Sequence, residues 1–205
     1  GFSVEILTKQ PSYPKGKIYK GYSNKWFSKE IYNGITIHRV KTITGYKNNK
    51  LKKIINYLSF IILGSIKSIQ IGKKFDFILG FNIAALTGMI PAIFIKIIYK
   101  KKVTLWIQDI WPDSVYAYGF NKTKTLIWFL NKLVTFIYKH TNNFAISGVG
   151  FKDKITPYLN EDKKIIYIPN WTDELKKTTA KFNFSSKEKL HFTFAGNIGY
   201  IQNLD

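Results

Sequence analysis

The chain has 205 residues, of which 45% are hydrophobic and 17% aromatic, enough for the packed core of one domain or somewhat more. It contains no cysteine, which excludes disulfides, thiol catalysis and cysteine-ligated metal sites. Its three histidines lie far apart and no pair has metal-ligand spacing, so no metal site built by this chain alone is predicted.

The formal net charge of +20 favours an anionic partner, either nucleic acid or a membrane surface. Nearly all the basic residues are Lys, and Arg39 is the only Arg. Sequence-specific nucleic-acid readers depend on the bidentate Arg fork, so we predict no nucleic-acid partner. Two alternative explanations of the charge stay open. One is attraction to an anionic membrane. The other is an AT-rich genome, which favours codons for Lys, Ile, Asn, Tyr and Phe.

Short apolar runs alternate with longer helical stretches along the chain. The predicted strands are residues 3–8, 35–40, 75–80, 103–107, 144–147, 165–168 and 191–195. The predicted helices are residues 49–72, 83–96, 123–140 and 149–158. This alternation predicts the α/β class with a Rossmann-like parallel sheet, whose ligands gather at the C-terminal strand ends. Continuous apolar character predicts that strands 75–80, 103–107 and 165–168 are buried on both faces.

Two of the predicted helical stretches are strongly apolar. Residues 54–63 are too few to span a bilayer, and residues 83–99 are interrupted by Thr87, Pro91 and Lys96. Helices packed on a parallel sheet explain both stretches. The first is flanked by Lys50, Lys52, Lys53 and Lys67. That pattern suits a helix lying at a membrane surface, and equally a half-buried helix with snorkelling lysines.

The composition changes after Trp171. Residues 172–189 are rich in Lys, Thr and Ser and have no clear apolar face, which is typical of a linker. We therefore expect one domain over residues 1–171, a linker over residues 172–189, and the start of a second domain over residues 190–205.

The loop after strand 103–107 holds the strongest candidates for chemistry. Asp109 stands nearest the strand tip, where a carboxylate can take a proton or position a hydroxyl. Trp111 supplies a flat wall, and Pro112 fixes the loop. Asp113 either joins the site or caps the helix that follows.

Other strand ends offer further candidates. Gly196, Asn197 and Gly199 follow the last predicted strand, where glycines let the backbone approach a phosphate beside a helix N-terminus. Asn170 lies at the predicted domain boundary and is expected to face the cleft. Ser147 is expected to cap the helix after it.

In order and spacing, these loops resemble bacterial family 4 glycosyltransferases of the WbuB-like type, which build O-antigen and capsule. The resemblance covers essentially the whole chain. The matching segments are residues 1–8 leading to Pro11 and Pro14, residues 109–114, residues 146–147 with Gly150 and Phe151, residues 168–171 with Asp173, and residues 194–199 with Gln202 and Leu204. The resemblance implies a GT-B fold, in which two Rossmann-like domains face a cleft. The N-terminal domain takes the acceptor and the C-terminal domain takes the nucleotide-sugar.

The resemblance also implies a reaction. Such enzymes retain anomeric configuration and use neither a metal nor another cofactor. The expected reaction moves a sugar, of the N-acetylated amino class, from a UDP-sugar to a polyprenyl-diphosphate-linked saccharide. The expected location is the cytoplasmic face of the plasma membrane, with the enzyme held peripherally on its anionic surface.

Residue roles follow from the same resemblance. The catalytic residues would be Asp109 and Asp113. Many relatives carry a His where Gln108 stands here, so Asp109 is assigned to organising the acceptor or donor sugar. Substrate and donor binding would fall to Trp111, Asn170, Gly196, Asn197 and Gly199.

Two parts of the family pattern are expected beyond this sequence. The family's first strand and glycine-rich loop would precede Gly1, and a paired-glutamate region that grips the donor would follow Asp205. The chain alone is therefore expected to lack transferase activity. The alternative function is an inactive, truncated basic α/β module that only binds a membrane surface or polyanions.

Overall fold

The computed structural model describes residues 1–46, 49–83, 85–117, 120–159 and 163–172. Within these ranges one sheet has the order β1-β3-β2 and the other the order β4-β5-β6-β7. The first sheet consists of β1 (Glu5–Lys9), β2 (Phe27–Tyr32) and β3 (Ile35–Val40). The second consists of β4 (Phe77–Asn82), β5 (Lys102–Ile107), β6 (Asn143–Ile146) and β7 (Lys164–Tyr167), all parallel. The predicted α/β class with a Rossmann-like parallel sheet is confirmed.

The helices lie between the strands, as the sequence pattern predicts. They are α1 (Lys50–Gly72), α2 (Ile90–Tyr99), α3 (Asp113–Ala117), α4 (Lys124–Lys139) and α5 (Phe151–Ile155), with 3-10 turns at Leu86–Met89 and Thr156–Tyr158. The predicted helix over residues 83–96 begins later than expected, as a 3-10 turn, and Pro91 lies in the first turn of α2. Proline is tolerated there because a first-turn N–H has no helical partner.

The first sheet contains a β-hairpin formed by β2 and β3. The residues of its turn are evident in the sequence, whereas only one of its two strands was predicted. Asn33 and Gly34 have φ values of 47° and 79°, the left-handed pair that a two-residue hairpin turn requires. Strand β3 matches the predicted residues 35–40, whereas β2 was not predicted. Arg39 of β3 forms a 2.6 Å ion pair with Glu30 across the hairpin.

Helix α1 connects the two sheets. Asn49 begins it by accepting a 2.8 Å hydrogen bond from the Lys52 amide, and its length matches the predicted residues 49–72. Near its end, the Lys74 ammonium pairs with Glu5 at the start of β1, and His38 Nε2 lies 2.7 Å from the same carboxylate. The hydrogen bonds from Lys74 and then His38 hold the pKa of Glu5 below its usual value.

Small residues let α1 and α2 pack closely. Gly64, Ser68 and Gly72 are spaced four apart, so they share one face of α1. Ser68 Oγ donates a 2.9 Å hydrogen bond to the Pro91 carbonyl. A Cβ atom at Gly64 would lie 3.0 Å from Pro91 Cγ, and one at Gly72 would lie 2.8 Å from Ile95 Cγ1.

The hydrophobic core lies between the helices and one face of the parallel sheet. Val103, Leu105 and Ile107 of β5 are fully buried there and share one cluster with α2 and α4 side chains. Parallel crossovers are right-handed, and the strand order β4-β5-β6-β7 advances in one direction, so successive helices cover the same face.

The opposite face of this sheet is open in the described ranges. Phe77, Leu79 and Phe81 of β4 are exposed on it, and so is Ile166 of β7. The prediction that strands 75–80, 103–107 and 165–168 are buried on both faces is therefore wrong for these residues. The apolar runs correctly predicted strands. The helices, however, form a single layer that covers only one face of the sheet.

The structure bears on a possible membrane span and leaves the domain boundaries untested. By length and composition alone, Leu51–Gly72 is apolar enough to cross a membrane. Asn56, Ser65 and Ser68 of this helix are nevertheless buried, and α1 packs against α2, β1 and β3. Apart from Thr172, the predicted linker and the start of the second domain lie outside the described residues, so the division into domains stays a prediction.

Replacing Gly64 with Leu should destabilise the chain by about 1–3 kcal/mol, because the new side chain overpacks the contact with Pro91. Gln70→Leu is the matched control, since it adds the same residue at an exposed site of the same helix and should change stability by about 0.5 kcal/mol or less. Urea denaturation followed by tryptophan fluorescence measures both changes. Equal stabilities for the two variants would contradict the close α1–α2 contact.

Candidate functional site

The loop after β5 is held by the end of the neighbouring strand. Asn82, the last residue of β4, is only 4% exposed. Its carbonyl accepts a 3.0 Å hydrogen bond from the Gln108 amide, and its side chain lies 3.5 Å from the Asp109 carbonyl. This contact places the loop at the C-terminal edge of the sheet, where parallel α/β proteins bind ligands.

The loop then turns sharply into α3. The Trp111–Pro112 peptide is cis, and the amides of Ser114 and Val115 donate to the Ile110 and Pro112 carbonyls at 2.8 and 2.9 Å. Trp111 packs against the hydrophobic core, which orients its ring. Asp113 is the first residue of α3, so its carboxylate lies at the start of that short helix.

A cavity of about 350 Å³ opens between this loop and the chain that follows β6. The residues lining it are Ile110, Trp111, Pro112, Asp113, Asp153, Lys154, Pro157 and Tyr158. The Lys154 ammonium lies 3.6 Å from the Asp113 carboxylate, and the Tyr158 hydroxyl donates a 3.1 Å hydrogen bond to Asn131 Oδ1. Burial, and then the Asp113 and Tyr116 charges, raise the pKa of Tyr158. Two aromatic rings, two carboxylates and one ammonium thus surround one space.

The cavity brings together only part of the predicted site. Trp111 and Asp113 line it, whereas Asp109 lies at the strand tip outside the lining residues. Burial raises the pKa of Asp109 above its usual value, which makes its carboxyl a better proton carrier than an exposed aspartate. Asp109 is nevertheless close to the cavity, because the next residue in the chain, Ile110, lines it.

Asn170 lies elsewhere. The Ile168 carbonyl accepts a 3.2 Å hydrogen bond from Trp106 Nε1, and Trp171 stacks on Trp106 at 5.4 Å between ring centroids. Trp106 alternates with the buried residues of β5, so this stack covers the open face of the sheet. Asn170 is exposed beside it and does not line the cavity.

Two further predictions have different outcomes. Gly196, Asn197 and Gly199 lie outside the described residues. The prediction that Ser147 caps the next helix is wrong. Its hydroxyl donates a 3.1 Å hydrogen bond to the Ile107 carbonyl, and α5 begins after Gly150 without a side-chain cap. Ser147 therefore ties the end of β6 to the end of β5.

Three lining residues with polar side chains were missed by sequence reasoning: Asp153, Lys154 and Tyr158. A signal for them existed, because the predicted helix 149–158 begins just beyond the C-terminal end of a parallel strand. Helix N-terminal segments at that edge face the same space as the neighbouring loops. The sequence showed no spacing that singles these three residues out.

A second polar cluster lies at the C-terminal end of β1. Lys9 Nζ donates a 2.6 Å hydrogen bond to Asn56 Oδ1, and the Asn56 amide donates in turn to Thr42 Oγ1 at 2.7 Å. The ammonium also lies 5.4 Å and 5.9 Å from the ring centroids of Tyr57 and Phe60. Burial lowers the pKa of Lys9 to about 8.

In the part of the chain that the structure describes, no group of three or more His, Asp and Glu side chains is placed to hold a metal ion. Comparison with protein-family models, curated proteins and solved structures finds no match to this chain. The resemblance to glycosyltransferases therefore stays a prediction.

Lys9 should make stability depend on alkaline pH. Its pKa is about 8 in the folded chain and 10.5 as a free side chain. Between these values the unfolded state binds more protons, so the free energy of unfolding rises with pH, by at most about 1.4 kcal/mol per pH unit. Lys9→Met should lack this rise in urea denaturation between roughly pH 8 and 9.5.

The measurement is confined to roughly pH 8 to 9.5 because Tyr138 affects the free energy of unfolding in the opposite direction at higher pH. Burial raises the pKa of Tyr138, so its ionisation in the unfolded state lowers stability at higher pH. Parallel pH profiles for the wild type and Lys9→Met would contradict a lowered pKa for Lys9 in the folded chain.

Proposed function

We propose that this chain is the acceptor-binding part of a retaining glycosyltransferase of the GT-B type. The cavity beside Trp111 and Asp113 carries the proposal. Sugars present apolar C–H faces, which pack on aromatic rings, and hydroxyl groups, which donate to carboxylates. The rings of Trp111 and Tyr158 and the carboxylates of Asp113 and Asp153 offer both features in one pocket.

The position of the cavity also supports the proposal. Ligands of parallel α/β sheets bind beyond the C-terminal strand ends, and the cavity lies where β5 and β6 end. Asp109, at the tip of β5, would organise the sugar next to the reacting hydroxyl. Its raised pKa suits a group that shares a proton with a hydroxyl.

In the proposed reaction, the anomeric carbon of the sugar exchanges its bond to a diphosphate oxygen for a bond to an acceptor oxygen. The bond from the anomeric carbon to the UDP diphosphate breaks, and a bond from that carbon to the acceptor hydroxyl oxygen forms on the same face. The hydroxyl proton leaves with the diphosphate. Backbone N–H groups around Gly196, Asn197 and Gly199 would stabilise the leaving diphosphate without a metal.

One open edge of each sheet fits a larger α/β domain. Among the described strands, β1 pairs only with β3, and β4 pairs only with β5. One further parallel strand between β1 and β4 would join the two sheets into one, as a Rossmann-like domain requires. The resemblance assigns that place to the family's first strand.

The proposed acceptor is a saccharide on polyprenyl diphosphate, and the proposed donor is a UDP-sugar of the N-acetylated amino class. Both substrates place the enzyme at the cytoplasmic face of the plasma membrane. The alternative, a basic α/β module that only binds anionic surfaces, is favoured by the charge of +20 alone and leaves the cavity without a role.

Saccharide binding tests the acceptor proposal. N-acetylglucosamine and its β-1,4 disaccharide should quench tryptophan fluorescence saturably, because Trp111 lines the cavity. Trp111→Ala and Asp113→Asn should each weaken binding by about tenfold, the effect of roughly one lost good contact. Trp128→Ala and Asp76→Asn are matched controls at exposed sites away from the cavity.

Failure of all these saccharides to bind a folded wild-type chain would contradict an acceptor site here. Equal weakening by the control variants would also contradict it. Circular dichroism confirms that each variant is folded before its binding is measured.

Asp109→Asn tests the catalytic assignment in the chain joined to its donor-binding domain. Turnover of UDP-sugar with lipid-linked acceptor should fall by about 10²-fold or more, because the neutral amide cannot form the charge-assisted hydrogen bond by which the carboxylate orients the sugar. Stability should change by about 1 kcal/mol or less. Losses of turnover that merely track losses of stability would assign Asp109 to structure, and turnover by the 205-residue chain alone would contradict the two-domain proposal.

A further inference from the structure

Helix α1 carries an apolar stripe on its outward face. Leu51, Ile55, Leu58, Ile62 and Ile66 are exposed at helical spacing, with Leu58 at 50% and Ile62 at 60%. We call these five residues the outer stripe. It runs about 22 Å along the helix, from the rise of 1.5 Å per residue.

The outer stripe is not a core face. Asn56 and Ser68 are buried at other positions around α1, and Gly64 and Gly72 lie against α2. A helix that packs on a sheet in a soluble domain is usually polar on its outer side. An exposed contiguous apolar patch therefore indicates a binding surface.

The charge around the outer stripe identifies its partner. Residues 50–74, which are α1 and the two residues after it, contain six lysines and no acidic residue. Lys52 within α1 and Lys73 just after it are exposed. Aliphatic side chains flanked by lysines, with almost no acidic residues, complement the acyl chains and phosphate headgroups of an anionic bilayer. We infer that the outer stripe of α1 docks on an anionic membrane surface.

The inner side of α1 sets its orientation on the membrane. The Asn56 amide donates to Thr42 Oγ1 at 2.7 Å and to the Ile43 carbonyl at 2.6 Å. Crossing the bilayer would break these hydrogen bonds and expose buried polar groups to lipid. The helix therefore lies in the membrane plane, with only its outer stripe inserted.

Two other helices of the domain also expose apolar side chains. Phe94, Ile97 and Ile98 of α2 are exposed, and so is Trp128 of α4. Aromatic and aliphatic side chains of this kind favour the boundary between headgroups and acyl chains.

This inference goes beyond sugar transfer and does not depend on it. Lipid binding can be measured without donor or acceptor, so a failed docking test leaves the cavity proposal intact, and the reverse also holds. If both are correct, the docked face keeps the cavity near lipid-linked acceptors.

Vesicle cosedimentation tests the docking surface on the full chain. Phosphatidylcholine vesicles containing phosphatidylglycerol should bind the wild type, and pure phosphatidylcholine should bind it much less. The double variant Leu58→Gln/Ile62→Gln should bind at least about tenfold more weakly, because two inserted aliphatic groups are lost. Ile31→Gln is the matched control, since Ile31 is 72% exposed and belongs to β2, outside the outer stripe.

Site-specific labelling reports insertion directly. The chain has no cysteine, so a single Cys can carry an environment-sensitive dye. A dye at Ile66→Cys should shift to the blue and brighten on anionic vesicles, whereas a dye at Ile31→Cys should not.

Four results would overturn the inference. The double variant could bind like the wild type, or lose binding only in step with loss of folding measured by circular dichroism. Leu79→Gln, on the open sheet face where Leu79 is 63% exposed, could abolish binding while the double variant does not. Finally, light scattering could show a dimer that the double variant dissociates, with no vesicle binding by the wild type, which would assign the stripe to a second copy of the chain.

Discussion

The packing of α1 between the two sheets is the constraint on which the rest of the fold depends. No described strand joins β1 to β4, so the helix supplies the connection. Asn56 ties it to the segment after β3, Ser68 ties it to α2, and Lys74 just beyond its end pairs with Glu5 of β1. The small residues along its inner face make this close approach possible, since each allows backbone and side chains to meet at van der Waals distance.

The handedness of the crossovers then gives the domain two unlike sides. Successive strands advance in one direction, so the helices gather on one face and build the core there. The other face keeps exposed aromatic side chains, of which only part is covered by the stack of Trp171 on Trp106. The loops that follow β5 and β6 meet at one edge and enclose the cavity.

The proposed site and the proposed docking surface use different chemistry. The cavity combines aromatic rings with carboxylates, which suits a hydroxyl-rich ligand such as a saccharide. The outer stripe combines aliphatic side chains with nearby lysines, which suits a bilayer rather than a sugar. A lipid-linked saccharide needs both kinds of surface, because one end of the molecule is in the membrane and the other is in water.

The sequence by itself determined the elements and the loop most suited to chemistry. Helix Lys50–Gly72 and strand Ile35–Val40 follow from local periodicity, capping and turn residues, and the loop with Trp111 and Asp113 follows from its place after a strand. These signals are local, so a single segment carries them.

Only the tertiary structure decided which residues meet. In the structure Tyr158 and Trp111 line the same cavity, and Asn170 lies outside it. Phe77 is exposed, although the sequence predicts that its strand is buried on both faces. Such outcomes depend on which face each crossover helix covers and on how segments far apart in the chain pack. An apolar run indicates that a strand can be buried. The handedness of the crossovers and the packing of the helices determine which face of that strand is buried.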